Sequence, residues 1–410
     1  MSVQPAWFDP PAEGKIHIPG MNGVRFLAAT VVVCSHVELM KALAQLPNLW
    51  LNRYFHSAAV EAVNMLFVVS GFLITYLLLV EQRRNGTIDV KKFYIRRALR
   101  VQPVYLLIVV LAFFAAPWIP VVWTGPFSHV LISWNADLKT HYAANLILYL
   151  LLCPHVATAI FTPVNYAAQA WSIGVEEQFY AVWPWLMKRG ERMLPRLLIG
   201  IVAVKFVIDN LIVRPMVHAS GGKRELVILL NFLNYFRVEC LAIGGLAAYG
   251  VLFYPERTRW LIKPAIQWLA VPLFFALIAT GERVPWAAFL WSSAYAVLLI
   301  NIGASRIRIL NLETSWLDWL GRVSYGIYMY HLIVLAIALK TCEVIWRGEL
   351  LHYFTAAPWA TNAGLYLSVM AGTLALAGIS YHFFELKFLA LKGRFGSLSK
   401  ESRAPALPHA

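Results

Sequence analysis

The chain of 410 residues is 60% hydrophobic and only 14% charged, where a soluble domain is about a quarter charged. With a mean hydropathy of +0.63, an ordinary water-exposed surface is excluded. The net charge of +14 would suggest nucleic acid for a soluble protein. Here the cations fall in short stretches between apolar runs, where they mark the cytoplasmic side of a membrane, and no nucleic-acid partner is expected. Cys34, Cys153, Cys240 and Cys342 show no close pair and no metal-ligand spacing. They read as small buried apolar residues, and no metal site is expected.

In chain order, a polar lead covers residues 1–20. It holds no apolar core before a cleavage site, so no removable signal peptide is expected. Apolar segments follow at 24–43 and 58–80. The basic run EQRRNGTIDVKKFYIRRALR comes next and should face the cytoplasm. That places the amino terminus in the cytoplasm and residues 44–57 outside. Further candidate spans lie at 101–122, 143–162, 172–188, 194–213, 228–253, 264–280, 285–304, 322–342 and 362–389. Cations recur at 188–196, 257–263, 306–308 and 387–403. They share one side if the last six spans alternate, which makes the carboxyl terminus cytoplasmic too.

Two cytoplasmic ends require an even number of crossings, yet the candidates total eleven. The discrepancy lies in the proline-rich stretch 101–171, which crosses once or three times. The expected fold is all-α: a polytopic transmembrane helical bundle of about ten spans, ten or twelve in all. Residues 21–390 form the membrane domain and 391–410 a basic cytoplasmic tail. No internal repeat and no appended soluble domain is read.

Ionisable groups inside apolar spans are costly and mark function when they have partners. Arg25 and His36 share the first span. Eleven steps of 100° return them to within about 20° of one face, about 16 Å apart along the axis. A mid-membrane histidine can exchange a proton near neutral pH, although a core histidine bonded to a carbonyl is the simpler reading. In FYIRRALRVQPVY, Arg96, Arg97 and Arg100 fall within about 100° of one another on a helix. Clustered guanidinium groups suit phosphates, and equally suit a stop signal or anionic lipid. In WSIGVEEQFYAVWPW, Glu176, Tyr180 and Trp183 line one face, with Glu177 adjacent. In GRVSYGIYMYHL, Ser324, Tyr328 and His331 do the same. Lys205 and Asp209 are spaced to pair within one helix, and Arg237 and Glu239 flank an apolar run. The Gly244-Gly245 pair and the Ser70-Gly71 pair of FVVSGFLI read first as close helix packing.

In order and spacing, these blocks resemble the acyltransferase-3 family of integral membrane acyltransferases, over most of the chain from about Ile18 to Leu389. GMNGVRFLAATVVVCSH resembles its first span, with Arg25 and His36 at the family spacing. FVVSGFLI, carrying Ser70, resembles the next block. FYIRRALRVQP resembles the cytoplasmic arginine motif through Arg97, Arg100 and Pro103. WSIGVEEQFYAVWP matches through Trp171, Ser172, Glu176 and Tyr180. LGRVSYGIYMYH matches through Ser324, Tyr325, Tyr328 and His331. Two departures stand out. Glu385 is followed by Leu386-Lys387 where the family often has proline two residues on. Asn64 stands where many members carry an acid, and Glu61, nearly one turn earlier, is its candidate substitute.

The resemblance implies an O-acyltransferase of the minimal transmembrane form, in a bacterial inner membrane. It would move a short acyl group, acetyl first, from cytoplasmic acyl-CoA to a hydroxyl of a glycan, a lipid or a secreted small molecule. Acyl-CoA is a co-substrate and no bound cofactor is implied. The cluster Arg96, Arg97 and Arg100 would dock the phosphates. His36 would act as general base or carry the acyl group covalently, with Arg25 stabilising developing charge. Glu61, Asn64, Ser70, Trp171, Ser172, Glu176, Tyr180, Ser324, Tyr325, Tyr328 and His331 would line or support the acceptor path. The rival expectations are a transporter or flippase of a polar lipid or sugar, and a non-catalytic scaffold. The acceptor and the oligomeric state are not legible.

Overall fold

In the computed structural model, residues 16–118, 128–269, 287–304 and 311–392 are described, with residues 272 and 395. Among them the chain is helical, with no strand. The elements that build the site are α1 (Met21–Leu43), α2 (Arg53–Asn85), α3 (Val90–Val110) and α4 (Ser128–Thr140). They are followed by α5 (Tyr142–Leu150), α6 (Pro154–Ile160), α7 (Trp171–Arg189) and α8 (Leu194–Phe206). The chain continues through α9 (Arg224–Tyr235), α10 (Val238–Phe253), α11 (Ala287–Ala304), α12 (Ser315–Ile345) and α13 (Pro358–Ser380).

Among the described residues, six helices are long and apolar enough to cross a membrane: Met21–Leu43, Tyr54–Asn85, Val90–Trp118, Arg224–Phe253, Ser315–Ile345 and Pro358–Leu391. Ala288–Ala304 is a shorter apolar helix. The candidate stretch 143–162, within the segment where the sequence leaves the count of crossings open, is not one continuous helix. It breaks between α5 and α6, where Leu152 adopts φ +60° and Pro154 starts a new helix. The stretch 172–188 is helical, as α7, but carries Glu176, Glu177, Lys188 and Arg189, so composition alone does not mark it as a span. In 194–213 the helix runs on through a π-turn at Val207–Val213, with Lys205 and Asp209 paired inside it. The stretch 228–253 bends between α9 and α10 at Phe236-Arg237. Most of 264–280 lies outside the described residues.

Local signals set the helix starts that matter. Asn52 caps α2 by accepting from the Tyr54 amide at 3.0 Å, and α2 ends at Gly86 with φ +71°. Asp89 caps α3 through the Lys92 amide at 2.9 Å. That bond holds the exposed Asp89 carboxyl below the usual carboxylate range. Stability contributed by the cap is therefore present at neutral pH and lost as the medium acidifies through that lowered value.

The core is organised around α2, which packs on α1, α7, α10 and α11. Its contact with α10 is the closest. The two helices run in the same direction, with Asn64 by Cys240 near one end and Arg83 by Leu252 near the other, and where they cross Val68 lies by Gly244 and Gly71 by Leu241. A Cβ at Gly71 would sit 2.0 Å from the Leu241 carbonyl oxygen, and one at Gly244 would sit 2.2 Å from that of Val68. These glycines therefore let the backbones touch, as small residues do between membrane helices. Arg83 seals the far end by donating to the Leu252 carbonyl at 3.0 Å.

On the other flank, α1 and α12 also run parallel. Gly321 meets the Asn22 backbone, and Asn22 donates to Asp318 at 2.7 Å. Gly71→Ala should therefore destabilise by about 2–3 kcal/mol, the upper range for overpacking, because the obstacle is backbone. Gly200→Ala, with nothing within 4 Å of its Cβ position, should leave the thermal unfolding temperature in detergent unchanged or raise it.

Candidate active site

Along α1, Arg25, Ala29, Val32 and His36 recur at steps of four, three and four, which keeps them on one stripe. That stripe faces α12. A cavity of about 710 Å³, its open mouth included, lies between α1, α2, α3, α7 and α12. Arg25 and Ala29 of α1 line it, with Val63, Leu66, Phe67 and Ser70 of α2. The other walls are Arg97, Arg100 and Val101 of α3, Ser172, Ile173 and Glu176 of α7, and Ser324, Tyr325 and Tyr328 of α12. Five separate sequence blocks thus deliver three guanidinium groups, one carboxylate and five hydroxyls to a single space.

The carboxylate of Glu176 is already engaged. Its Oε1 accepts from Ser70 at 2.7 Å and its Oε2 from the Tyr180 hydroxyl at 2.9 Å. The three arginines are not. Among the described residues, none of Arg25, Arg97 and Arg100 forms a hydrogen bond or ion pair with a protein group. Arg97 lies over the Tyr180 ring, 4.7 Å from its centre, a cation–π contact that orients it without neutralising it. Half-buried like charges within one cavity repel, so this space is set up for an anion with several charged oxygens.

Arg96 takes a different course. Its guanidinium pairs with Glu81 at 2.9 Å and donates to the Phe395 carbonyl at 3.1 Å. Glu81 also accepts from the Asp89 amide at 3.0 Å. Arg96 therefore ties α3 to α2 at the loop, while Arg97 and Arg100 face the cavity.

Beyond the cavity floor, at Ala29 and Tyr328, stand two histidines. The rings of His36 and His331 are tilted by 58° with their centres 4.8 Å apart. Nδ1 of His36 meets the Val32 carbonyl at 2.9 Å, and Nδ1 of His331 meets the Tyr328 carbonyl at 2.7 Å. A carbonyl only accepts, so in each neutral ring Nδ1 carries the proton and Nε2 the lone pair. His36 is half-buried, whereas His331 is fully buried and its Nε2 has no hydrogen-bond partner. The floor itself is a hydroxyl pair, Ser172 Oγ and Tyr328 Oη at 2.7 Å. Both also lie within reach of the Gln169 carbonyl, at 3.3 and 3.2 Å.

Most of the expected residues are thus gathered, but not all. Tyr325 donates to the Val101 carbonyl at 2.9 Å and Ser324 to Gly321 at 2.8 Å, both at the cavity wall. Trp171 packs on Phe67 and Tyr235 just outside it. Asn64 and Glu61 point the other way. Asn64 lies by Cys240, and Glu61 accepts from Tyr295 of α11 at 3.4 Å. Neither orients His36; the Val32 carbonyl does. Reading the sequence alone missed three things: Glu81 as partner of Arg96, Gln169 under the hydroxyl pair, and a Glu38–Lys41 pair at 2.7 Å that holds Tyr366 and Asn362 of α13. The last was visible as two opposite charges three residues apart in the first span.

The family model described as an acyltransferase domain, acyltransferase-3, matches residues 18–382. Among curated proteins, the chain is similar to the peptidoglycan O-acetyltransferase OatA of Listeria monocytogenes, at 23% identity over 90% of this chain and 55% of that one. It is also similar to the Bacillus subtilis protein named "Putative peptidoglycan O-acetyltransferase YrhL", at 25% identity over 90% of this chain and 54% of that one. The chain therefore spans about half the length of these relatives. No solved structure matches it significantly.

The two kinds of arginine should separate in a stability measurement. Arg96→Met leaves the Glu81 carboxylate buried without its partner, and should cost about 3 kcal/mol. Arg100→Met removes a charge repelled by its neighbours, and should leave the unfolding temperature in detergent equal to or above that of the wild type.

Proposed function

The chain belongs to the acyltransferase-3 family, and from that premise we propose that it moves a short acyl group, acetyl first, from cytoplasmic acyl-CoA to a hydroxyl group across or within the membrane. The carrying observation is the cavity walled by Arg25, Arg97 and Arg100, three cations without a paired anion among the described residues. Coenzyme A bears several phosphates and is made in the cytoplasm. Its nucleotide end suits the arginines through charge-assisted, paired hydrogen bonds. Arg25 to His36 is about 16 Å along the helix, a distance for the pantetheine arm to cover, so the thioester would arrive near the histidines.

In this reading His36 Nε2 takes the proton of the acceptor hydroxyl. The freed oxygen pair attacks the thioester carbonyl, the carbon–sulfur bond breaks, and the thiolate leaves and takes a proton. Arg25 balances negative charge that develops on the way. The names of the relatives point toward a cell-wall glycan as the acceptor class. The arginine mouth faces the cytoplasm of a bacterial inner membrane, with both termini on that side. Among the described residues, no helix between α3 and α7 is both long and apolar enough to span, which supports a single crossing of the stretch from Val101 to Trp171 and so ten crossings rather than twelve. The transporter alternative is set aside on the family match.

The test uses purified protein in sealed vesicles, with labelled acetyl-CoA supplied at the arginine side and acceptor glycan present. Loss of label from the thioester should vanish in His36→Ala. Arg97→Ala should raise KM for acetyl-CoA roughly 10-fold or more, the value of a lost charge-assisted bond. It should leave acetyl-pantetheine, which lacks the nucleotide phosphates, unaffected. Equal sensitivity of both donors to Arg97→Ala would remove the phosphate role, and turnover retained in His36→Ala would remove the base.

A further inference from the structure

A histidine base is usually steadied by a carboxylate on its second nitrogen, which also stabilises the imidazolium that forms. His36 lacks this. Its Nδ1 is held by the Val32 carbonyl, a neutral group, and no carboxylate pairs with either histidine of the couple among the described residues. Glu38, the nearest acid on α1, is taken up by Lys41 at 2.7 Å, Tyr366 at 2.6 Å and the Leu49 amide. Glu176 of α7 is taken up by Ser70 and Tyr180. From α12 the pair meets Tyr328, whose ring centre is 6.0 Å from that of His331. From α13 the nearby titratable group is Tyr366, spent on Glu38. No charged side chain of α2 contacts either ring among the described residues.

What does stand beside His36 is a second imidazole of matching tautomer. His331 is completely enclosed, its Nδ1–H is spent on Tyr328 O, and its Nε2 lone pair has no donor. A buried acceptor left without a donor is a cost the fold bears at that point. A proton arriving on His36 would relieve it, because two Nε2 lone pairs can share one proton where a single ring must hold it alone. We infer that His331 is a positioning residue for the base: it shares the proton that His36 removes from the acceptor hydroxyl and returns it through His36 to the departing thiolate. The balance is that of the transfer proposed above, on which this role rests. One O–H and one C–S bond break, one C–O and one S–H bond form, and the proton passes over the imidazole pair without any other reactant.

Two variants test it in the vesicle assay. His331→Asn keeps an amide donor for the Tyr328 carbonyl and removes the Nε2 lone pair. His331→Gln sets a polar group that does not titrate near the Nε2 position. Each should lower kcat by about 10²-fold, the usual worth of acid–base assistance, with KM for acetyl-CoA unchanged. The rising limb of the pH–kcat profile should move to lower pH, since His36 then binds its proton alone. The double variant with His36→Ala should be no slower than His36→Ala itself. Wild-type kcat in either folded variant would overturn the relay. So would a lowered kcat with an unmoved pH profile, which marks a merely structural role. If both variants fail to fold, the relay is tested in the wild type by a solvent isotope effect on kcat. A value of one overturns it, and a normal effect with curvature in the proton inventory, from more than one moving proton, supports it. Absence of thioester turnover by the wild type would instead take down the transfer proposal, and the relay with it.

Discussion

Three guanidinium groups share one cavity in an apolar bundle, and none pairs with an anion among the described residues. Keeping Arg25, Arg97 and Arg100 together costs electrostatic energy, and the surrounding helices are arranged to bear that cost. Glu176 faces them with both oxygens bonded to Ser70 and Tyr180, so it tempers the local charge without collapsing onto an arginine. Tyr180 also offers its ring to Arg97. Asp89 caps α3 and the Glu81–Arg96 pair fixes its loop end, which fixes the rotation at which Arg97 and Arg100 emerge. A cavity that resists its own closure in this way is ready for a polyanion, and stability is given up locally for that readiness.

The polar groups form tiers along α1 and α12. Cations surround the mouth, hydroxyls make the floor at Ser172 and Tyr328, and two imidazoles lie below. Gln169, held to Tyr166 and Met329 through its side chain, lends its backbone carbonyl to the hydroxyl pair. Each tier offers a different chemistry: charge at the mouth, hydroxyls at the floor and imidazoles below it. The tiers are contributed by helices far apart in sequence, so the site exists only once α12 has docked against α1.

Much of this was legible from helical periodicity. Arg25 and His36 do share a stripe, and Ser324, Tyr328 and His331 do line up toward them, because steps of three, four and seven survive in any straight helix. The wheel also held a warning about Glu61 and Asn64. Glu61 stands about 180° and Asn64 about 120° from Ser70, which places them away from the cavity, toward α10 and α11. What the sequence could not disclose was pairing across space. Nothing local distinguishes Arg96 from Arg97, since the partner that claims Arg96 is on α2, and nothing local brings His331 to His36. The break in the candidate segment 143–162 was hidden for a related reason: hydropathy averages over the turn at Leu152 and Pro154.

The contact between Gly71 and Leu241, and its mirror between Gly244 and Val68, also constrains how such a chain can change over time. Any side chain at either glycine enters the backbone of the opposite helix. Neither position can drift alone, and room for one would have to be opened by a shift of the whole partner helix. Descendants of this sequence can therefore rework the mouth, the floor and the lipid-facing surface piecemeal. The seam between α2 and α10 is inherited as a unit or not at all.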